Sequence, residues 1–316
     1  MAEAERKKVL NKLFREIGRV EEENDKIICY VDKKAIKDKK NKFSYDLTFY
    51  GVFPKNLEES KEELMKYGLD KPIYYVIDGF NFDERIEIHS YGNAKVIFKN
   101  CTFVDEIFLL DCVDVEFENN TYKEEKYRYH SYSSSCFFHV YMVRNLTFRN
   151  ESFVNSAVKG MEENTIDKKS SIPHFGINVT KAKKVEFINT NVKTNFPTVI
   201  NSDVIRLENS ILRGLEFDIN AKNIENKDSI VKAITGVIID NPECDFKGIV
   251  KAPFIIYNGD DVTDYSSKTT LISQEQISKR NLKISLIDIL KQIRETALRK
   301  DTRGIGDIMG VKQRIR

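Results

Sequence analysis

Val96-Ile-Phe-Lys-Asn100-Cys-Thr-Phe103 and Val115-Glu-Phe-Glu-Asn119-Asn-Thr-Tyr122 are two copies of one pattern, apolar-x-apolar-x-Asn-x-x-apolar. The same pattern recurs as Leu146-Thr-Phe-Arg-Asn150-Glu-Ser-Phe153, Val185-Glu-Phe-Ile-Asn189-Thr-Asn-Val192 and Ile205-Arg-Leu-Glu-Asn209-Ser-Ile-Leu212. An earlier copy, Tyr75-Val-Ile-Asp-Gly79-Phe-Asn-Phe82, carries Gly at the Asn place. From Gly79 to Asn209 the aligned position steps by 21, 19, 31, 39 and 20 residues. Val-x-Phe is a two-residue alternation that sends both apolar side chains to one face of a strand. Asn then marks a turn, because it tolerates the left-handed conformation. The apolar residue three places later faces inward again. One such coil cannot bury its own apolar face, whereas stacked coils share a core. Stacking sets equal positions about 4.8 Å apart, so Phe should lie on Phe and Asn on Asn.

A further apolar stretch precedes most copies, as in Ile107-Phe-Leu-Leu110, Phe137-Phe-His-Val-Tyr141, Ile177-Asn-Val179 and Thr198-Val-Ile200. Two or three short strands per coil predict an all-β solenoid, a parallel β-helix. A β-sandwich would give similarly spaced strands, but it does not require the same Asn at the same offset. In repeat form, residues 72–260 resemble the right-handed parallel β-helix proteins, the pectate-lyase-like group. That resemblance, not the repeat itself, implies the handedness.

Helical signals bracket the repeats. Val9, Leu10, Leu13, Phe14, Ile17 and Val20 form a stripe at helical spacing. Asn56 with Glu59 has the form of a capping box, with Gly68 as a stop, and Ser273 with Gln276 is a second start. Leu286, Ile289, Leu290, Ile293 and Ala297 form another stripe. The expected organisation is an N-terminal helix (1–25), a cap region with a short helix (26–71), the β-helix (72–270), and a C-terminal helix with a basic tail (271–316). Such helices either cover the open ends of the solenoid or dock a partner.

Net charge is only +2, so no global field draws the chain to nucleic acid or membrane. The segment from Lys279 onward nevertheless carries 11 Lys/Arg against 4 Asp/Glu. The N-terminal sequence has no apolar run, and no stretch approaches about 18 apolar residues. The five cysteines are widely spaced without a CxxC. Together these features predict a cytoplasmic protein with no membrane contact. The four histidines lack metal-ligand spacing, so no metal or cofactor is expected.

Chemistry is sparse. Ile255-Ile-Tyr-Asn-Gly-Asp260-Asp261 resembles the Asn-Gly-Asp-Asp element of the polygalacturonase-type glycosidases, making Asp260 and Asp261 weak catalytic candidates. The rest of that family's set is missing. Tyr122-Lys-Glu-Glu-Lys126-Tyr-Arg-Tyr-His130-Ser-Tyr-Ser-Ser-Ser-Cys136 interrupts the repeat. Lys126, Tyr127, Arg128, Tyr129, His130 and Tyr132 offer aromatic faces beside cations, suited to bases, sugars or phosphate. The alternative is a strand pair packed on the solenoid wall. A second interruption, Val154–His174, is polar and flap-like, and Lys33–Lys42 is a basic run expected as a solvated turn. Leu286, Ile289, Leu290, Ile293, Arg299, Arg303 and Arg314 are the candidates for docking a protein partner or a second copy.

The leading expectation is a non-enzymatic scaffold that binds protein through its helical ends and insertions. A carbohydrate-active enzyme and a nucleic-acid-binding protein are the alternatives.

Overall fold

The computed structural model describes residues 3–42, 44–50, 71–123, 136–155, 175–194, 198–239, 250–252, 254–257 and 270–273. The chain begins with α1 (Glu3–Leu13), β1 (Gly18–Glu22), β2 (Ile27–Val31), α2 (Lys33–Lys37) and β3 (Ser44–Tyr50). Then come β4 (Ile73–Asp78), β5 (Asn81–Phe82), β6 (Arg85–Tyr91), β7 (Ala94–Lys99), β8 (Thr102–Phe103), β9 (Ile107–Glu118) and β10 (Thr121–Tyr122). β11 (Cys136–Arg149), β12 (Ser152–Asn155), β13 (Phe175–Ile188), β14 (Asn191–Thr194) and β15 (Thr198–Glu208) follow. The last are β16 (Ile211–Lys227), β17 (Ile230–Ile239), β18 (Val250–Lys251), β19 (Phe254–Tyr257) and β20 (Thr270–Ser273).

The fold is all-β, and its strands are mostly parallel; they do not close into a barrel. Among the described residues one sheet holds 17 strands, and β5, β8 and β10 form a smaller one. The exception to parallel pairing among the named strands is β1 against β2.

The pairings fall into three ladders. In the first, Tyr75 pairs with Val96, Val96 with Val115, Val115 with Leu146, Leu146 with Val185, and Val185 with Ile205. These steps reproduce the spacing of the sequence repeat, and the ladder continues from Ile205 to Ile224. In the second, Leu47, Ile88, Leu109, Val140, Val179, Ile200 and Ile219 pair in succession. The third carries Phe82, Phe103 and Tyr122, then Phe153, Val192, Leu212, Val231 and Val250. Parallel pairing thus starts ahead of residue 72, where β2 and β3 already pair with β4 and β6.

The ladders' inward side chains form one core. Phe98, Phe117, Phe148 and Phe187 are fully buried and stack in order, with ring centroids 5.2, 5.7 and 5.1 Å apart and planes within 17°. Burial of each ring contributes about 1.5–3 kcal/mol. At the corner after each first-ladder strand the backbone is left-handed, with φ of 62° at Gly79, 52° at Asn100, 55° at Asn119, 53° at Asn150, 50° at Asn189 and 46° at Asn209. Asp228, at φ 56°, is a seventh corner that the Asn-based alignment passes over. Outside the corners, amide bonds join Asn100 to Asp78, Asn119 to Asn100, Asn189 to Asn150 and Asn209 to Asn189.

The helical stripe expected through Val20 stops early. α1 ends at Leu13, Ile17 lies in a turn, and Val20 sits in β1 opposite Cys29. Gly18 explains the change, because a Cβ there would collide with the Tyr30 carbonyl across the antiparallel pair. Leu10 and Phe14 remain in the core. The basic run also departs from a solvated turn: α2 buries Ile36. Lys33 donates to the Gly79 carbonyl at 2.9 Å, and Lys40 pairs with Asp83 at 2.7 Å. Asn56, Glu59 and Gly68 lie outside the described residues. No described helix is long and apolar enough to cross a membrane.

Candidate functional site

The left-handed corner turns the next residue inward. That position holds Phe80, Cys101, Asn120, Glu151, Thr190, Ser210 and Ser229, all buried. From Asn120 on, each of these side chains accepts the backbone N–H of the equivalent residue one coil earlier. Asn120 Oδ1 accepts from Cys101 N (2.7 Å), Glu151 Oε1 from Asn120 N (3.1 Å) and Thr190 Oγ1 from Glu151 N (3.4 Å). Ser210 Oγ then accepts from Thr190 N and Ser229 Oγ from Ser210 N. The column satisfies amides that would otherwise be stranded in the core, each worth about 1–3 kcal/mol if left unpaired. Several members also donate to first-ladder carbonyls: Cys101 to Ile77, Asn120 to Phe98, Thr190 to Phe148 and Ser210 to Phe187.

Glu151 is the one carboxyl in this column, only 1% exposed. Its Oε1 also accepts from Asn120 Nδ2 at 2.9 Å, and the Tyr122 phenol lies close enough to influence the same carboxyl. Burial pushes Glu151 up to about 7 against the pull of those hydrogen bonds. Burial, with the Glu151 charge next to it, also raises the Tyr122 phenol. A carboxyl that titrates near neutrality has the proton affinity of a general acid or base. Sealed inside the core, it reaches no outside substrate.

Two outward faces complete the described surface. On the second ladder Glu87, Phe108, His139 and Asn178 are cross-strand neighbours. The Phe108 ring lies between the Arg85 guanidinium, 4.9 Å from its centroid, and the His139 ring at 5.1 Å. Burial lowers His139 below its ordinary range, so the ring is neutral at pH 7. Tyr141 beside it is exposed. The first ladder's outward face is laced with ion pairs. Lys95 and Arg149 hold Glu116 at 2.6 and 2.8 Å, Lys184 and Arg206 hold Glu186, and Lys227 holds Glu208. Burial disfavours the Glu116 charge, yet Arg149 and Lys95 outweigh it and keep that carboxyl low. Burial raises the neighbouring Asp114. Carboxylates committed to cations in this way fix strand register and leave little capacity for a substrate.

Cys29, Cys101 and Cys112 behave as core fillers. Burial pushes Cys29, Cys101 and Cys112 up to about 12, 11 and 12, so their thiolate, the reactive form, is negligible at pH 7. Among the described residues no group of His, Cys, Asp and Glu is arranged to hold a metal.

The residues singled out from the sequence fall elsewhere. Lys126, Tyr127, Arg128, Tyr129, His130 and Tyr132 belong to residues 124–135, between β10 and β11, outside the described residues. Asp260 and Asp261, and Leu286, Ile289, Leu290, Ile293, Arg299, Arg303 and Arg314, lie outside them too. Tyr122, read as the first loop residue, is instead paired in β10 with Phe103. Val154, read as the start of the second interruption, is the third residue of β12. Glu151 went unnoticed, although the residue after each aligned Asn is a column of small or polar side chains visible in the sequence.

The fold and these faces define a mostly parallel all-β protein with a buried polar column. No protein-family model matches the chain, and comparison with curated proteins and with solved structures found no match.

Proposed function

We propose that the three ladders are the faces of a right-handed parallel β-helix, and that the protein is a non-enzymatic cytoplasmic scaffold that binds another protein. One observation carries this reading. Within the repeat, the two long steps of the first ladder, from β9 to β11 and from β11 to β13, accommodate residues 124–135 and 156–174. Both segments join a third-ladder position to a second-ladder strand, and the strands they enter, β11 and β13, are paired neighbours. The strands that follow these two segments therefore lie side by side. Nearby, the outward Phe108, His139 and Tyr141 add aromatic surface. Paired carboxylates and suppressed thiols on the frame favour binding over catalysis. The basic segment after Lys279 supplies a second contact region.

Affinity capture and light scattering on the full chain test this. The Arg128→Ala/Tyr129→Ala variant or deletion of residues 280–316 should abolish a specific protein complex or self-association with unchanged circular dichroism. Association untouched by both changes would overturn the scaffold reading. Steeply salt-dependent oligonucleotide binding lost in the first variant would transfer the site to nucleic acid. Polyuronate cleavage lost with Asp260→Asn/Asp261→Asn would make the protein an enzyme.

A further inference from the structure

Among the described residues the third ladder is broken once. Pairing links β5, β8 and β10, then resumes from β12 through β14, β16, β17 and β18. β10 and β12 are in contact, yet among the described residues they belong to different sheets. The exterior asparagine run stops at the same level: Asn119 bonds Asn100 and Asn189 bonds Asn150, but among the described residues no bond joins Asn150 to Asn119. Among the described residues, the Glu151 side chain crosses the break through its two bonds from Asn120.

We propose that Glu151 is a protonation-controlled tie across this break, holding β12 to β10 when it carries its proton and loosening the two when it loses it. The other members of the column show why. Cys101, Asn120, Thr190 and Ser210 each donate to a carbonyl at one register position, Ile77, Phe98, Phe148 and Phe187. For Glu151 the matching residue is Phe117, which pairs with Phe98 and Phe148. A carboxylate has no proton to give, whereas the neutral acid can both accept and donate like its neighbours. The titratable groups facing it are Glu118 from β9, Tyr122 from β10 and, beyond the phenol, Cys101 after β7. Among the described residues none of these is cationic, so a charge here is buried without compensation from them. Burial pushes the carboxyl up to about 7, which places the change near neutral pH. The first and second ladders pair straight through this level, Phe148 with Phe117 and Val140 with Leu109. Loosening is therefore confined to one face, the face from which residues 124–135 and 156–174 both leave.

Hydrogen exchange of the full chain, read by mass spectrometry between pH 5 and 8.5 and corrected for intrinsic rates, tests the proposal. Protection of peptides spanning residues 118–123 should fall on the order of a hundredfold across that range. Peptides from β15 should stay level. In Glu151→Gln, whose amide accepts and donates at every pH, the fall should vanish. Should that variant not fold, carbon-13 titration of the Glu151 carboxyl in the unaltered chain replaces it, with a midpoint near 7 expected. Protection independent of pH, the same fall in Glu151→Gln, or a midpoint at the ordinary value of 4.5 would each overturn the proposal.

Discussion

Phe148→Ala is the sharpest test of the packing. The ring is fully buried, stacked on Phe117 at 5.7 Å and on Phe187 at 5.1 Å, with Phe138 edge-on at 5.1 Å. Truncating a buried Phe costs about 3–5 kcal/mol through lost transfer energy and the cavity left behind. Each aromatic contact is worth roughly 0.5–1.5 kcal/mol beyond area, and three are lost. Neighbours held by continuous strand pairing cannot collapse into the gap. The loss should therefore lie at the upper end, about 5 kcal/mol. Urea unfolding followed by circular dichroism and by tyrosine fluorescence reads it. Stacked units that contact only their neighbours lose cooperativity when one joint weakens, so the two probes should also separate. A loss under about 1.5 kcal/mol with coincident transitions would refute the stack as the central joint.

Asn119 sits at φ 55° and bonds Asn100. Asn119→Ala should cost about 1–2 kcal/mol in urea unfolding and Asn119→Gly distinctly less, because glycine keeps the left-handed corner. Gly18→Ala should cost roughly 1–3 kcal/mol, since its Cβ meets the Tyr30 carbonyl. Gly79→Asn should leave the melting temperature unchanged or raised, because a Cβ there meets only Lys33 Nζ at 3.8 Å. The native Glu151 carboxyl keeps its proton up to about 7 and the unfolded one only to its ordinary 4.5. Stability should therefore fall by roughly 3 kcal/mol as pH rises through that window; Glu151→Gln should flatten this slope in denaturant titrations at pH 5 and 8. Cys29, Cys101 and Cys112 should resist iodoacetamide at pH 7.5 and react once the chain is unfolded, as peptide mapping would show.

The first ladder was legible because its signal is local. Val-x-Phe-x-Asn puts two inward residues and a left-handed corner within five positions, and the register repeats the sequence spacing from Tyr75 to Ile205. Asp228 was missed because Asp also tolerates the left-handed corner, so an alignment keyed to Asn stops one coil short. The α1 boundary was misjudged for a different reason. Phe14, Ile17 and Val20 keep helical spacing, but Gly18 is needed where β1 crosses the Tyr30 carbonyl, and that requirement is visible only once β2 is in place. β2 and β3 lack the Asn signature and join the sheet through partners 46 and 41 residues away. Glu151 has no sequence signature of function at all. A Glu after Asn reads as surface until stacking shows that this position points inward.

The placement of Glu151 ties these threads together. Asn120, Thr190, Ser210 and Ser229 in its column are neutral and each offers both a donor and an acceptor. A Glu in their place adds an ionisable group where burial is nearly complete, and the third ladder stops pairing at that same level. At Thr190, by contrast, the stretch is intact: the Thr190 carbonyl accepts from Ile211 N. At Glu151 the two insertion-bearing coils meet through a bond whose strength depends on a proton. A scaffold built only for rigidity would carry Gln there, because an amide makes the same contacts without the cost of a buried charge. The pH dependence of partner binding, compared between the unaltered chain and Glu151→Gln, is therefore the measurement that joins the frame to the proposed scaffold role.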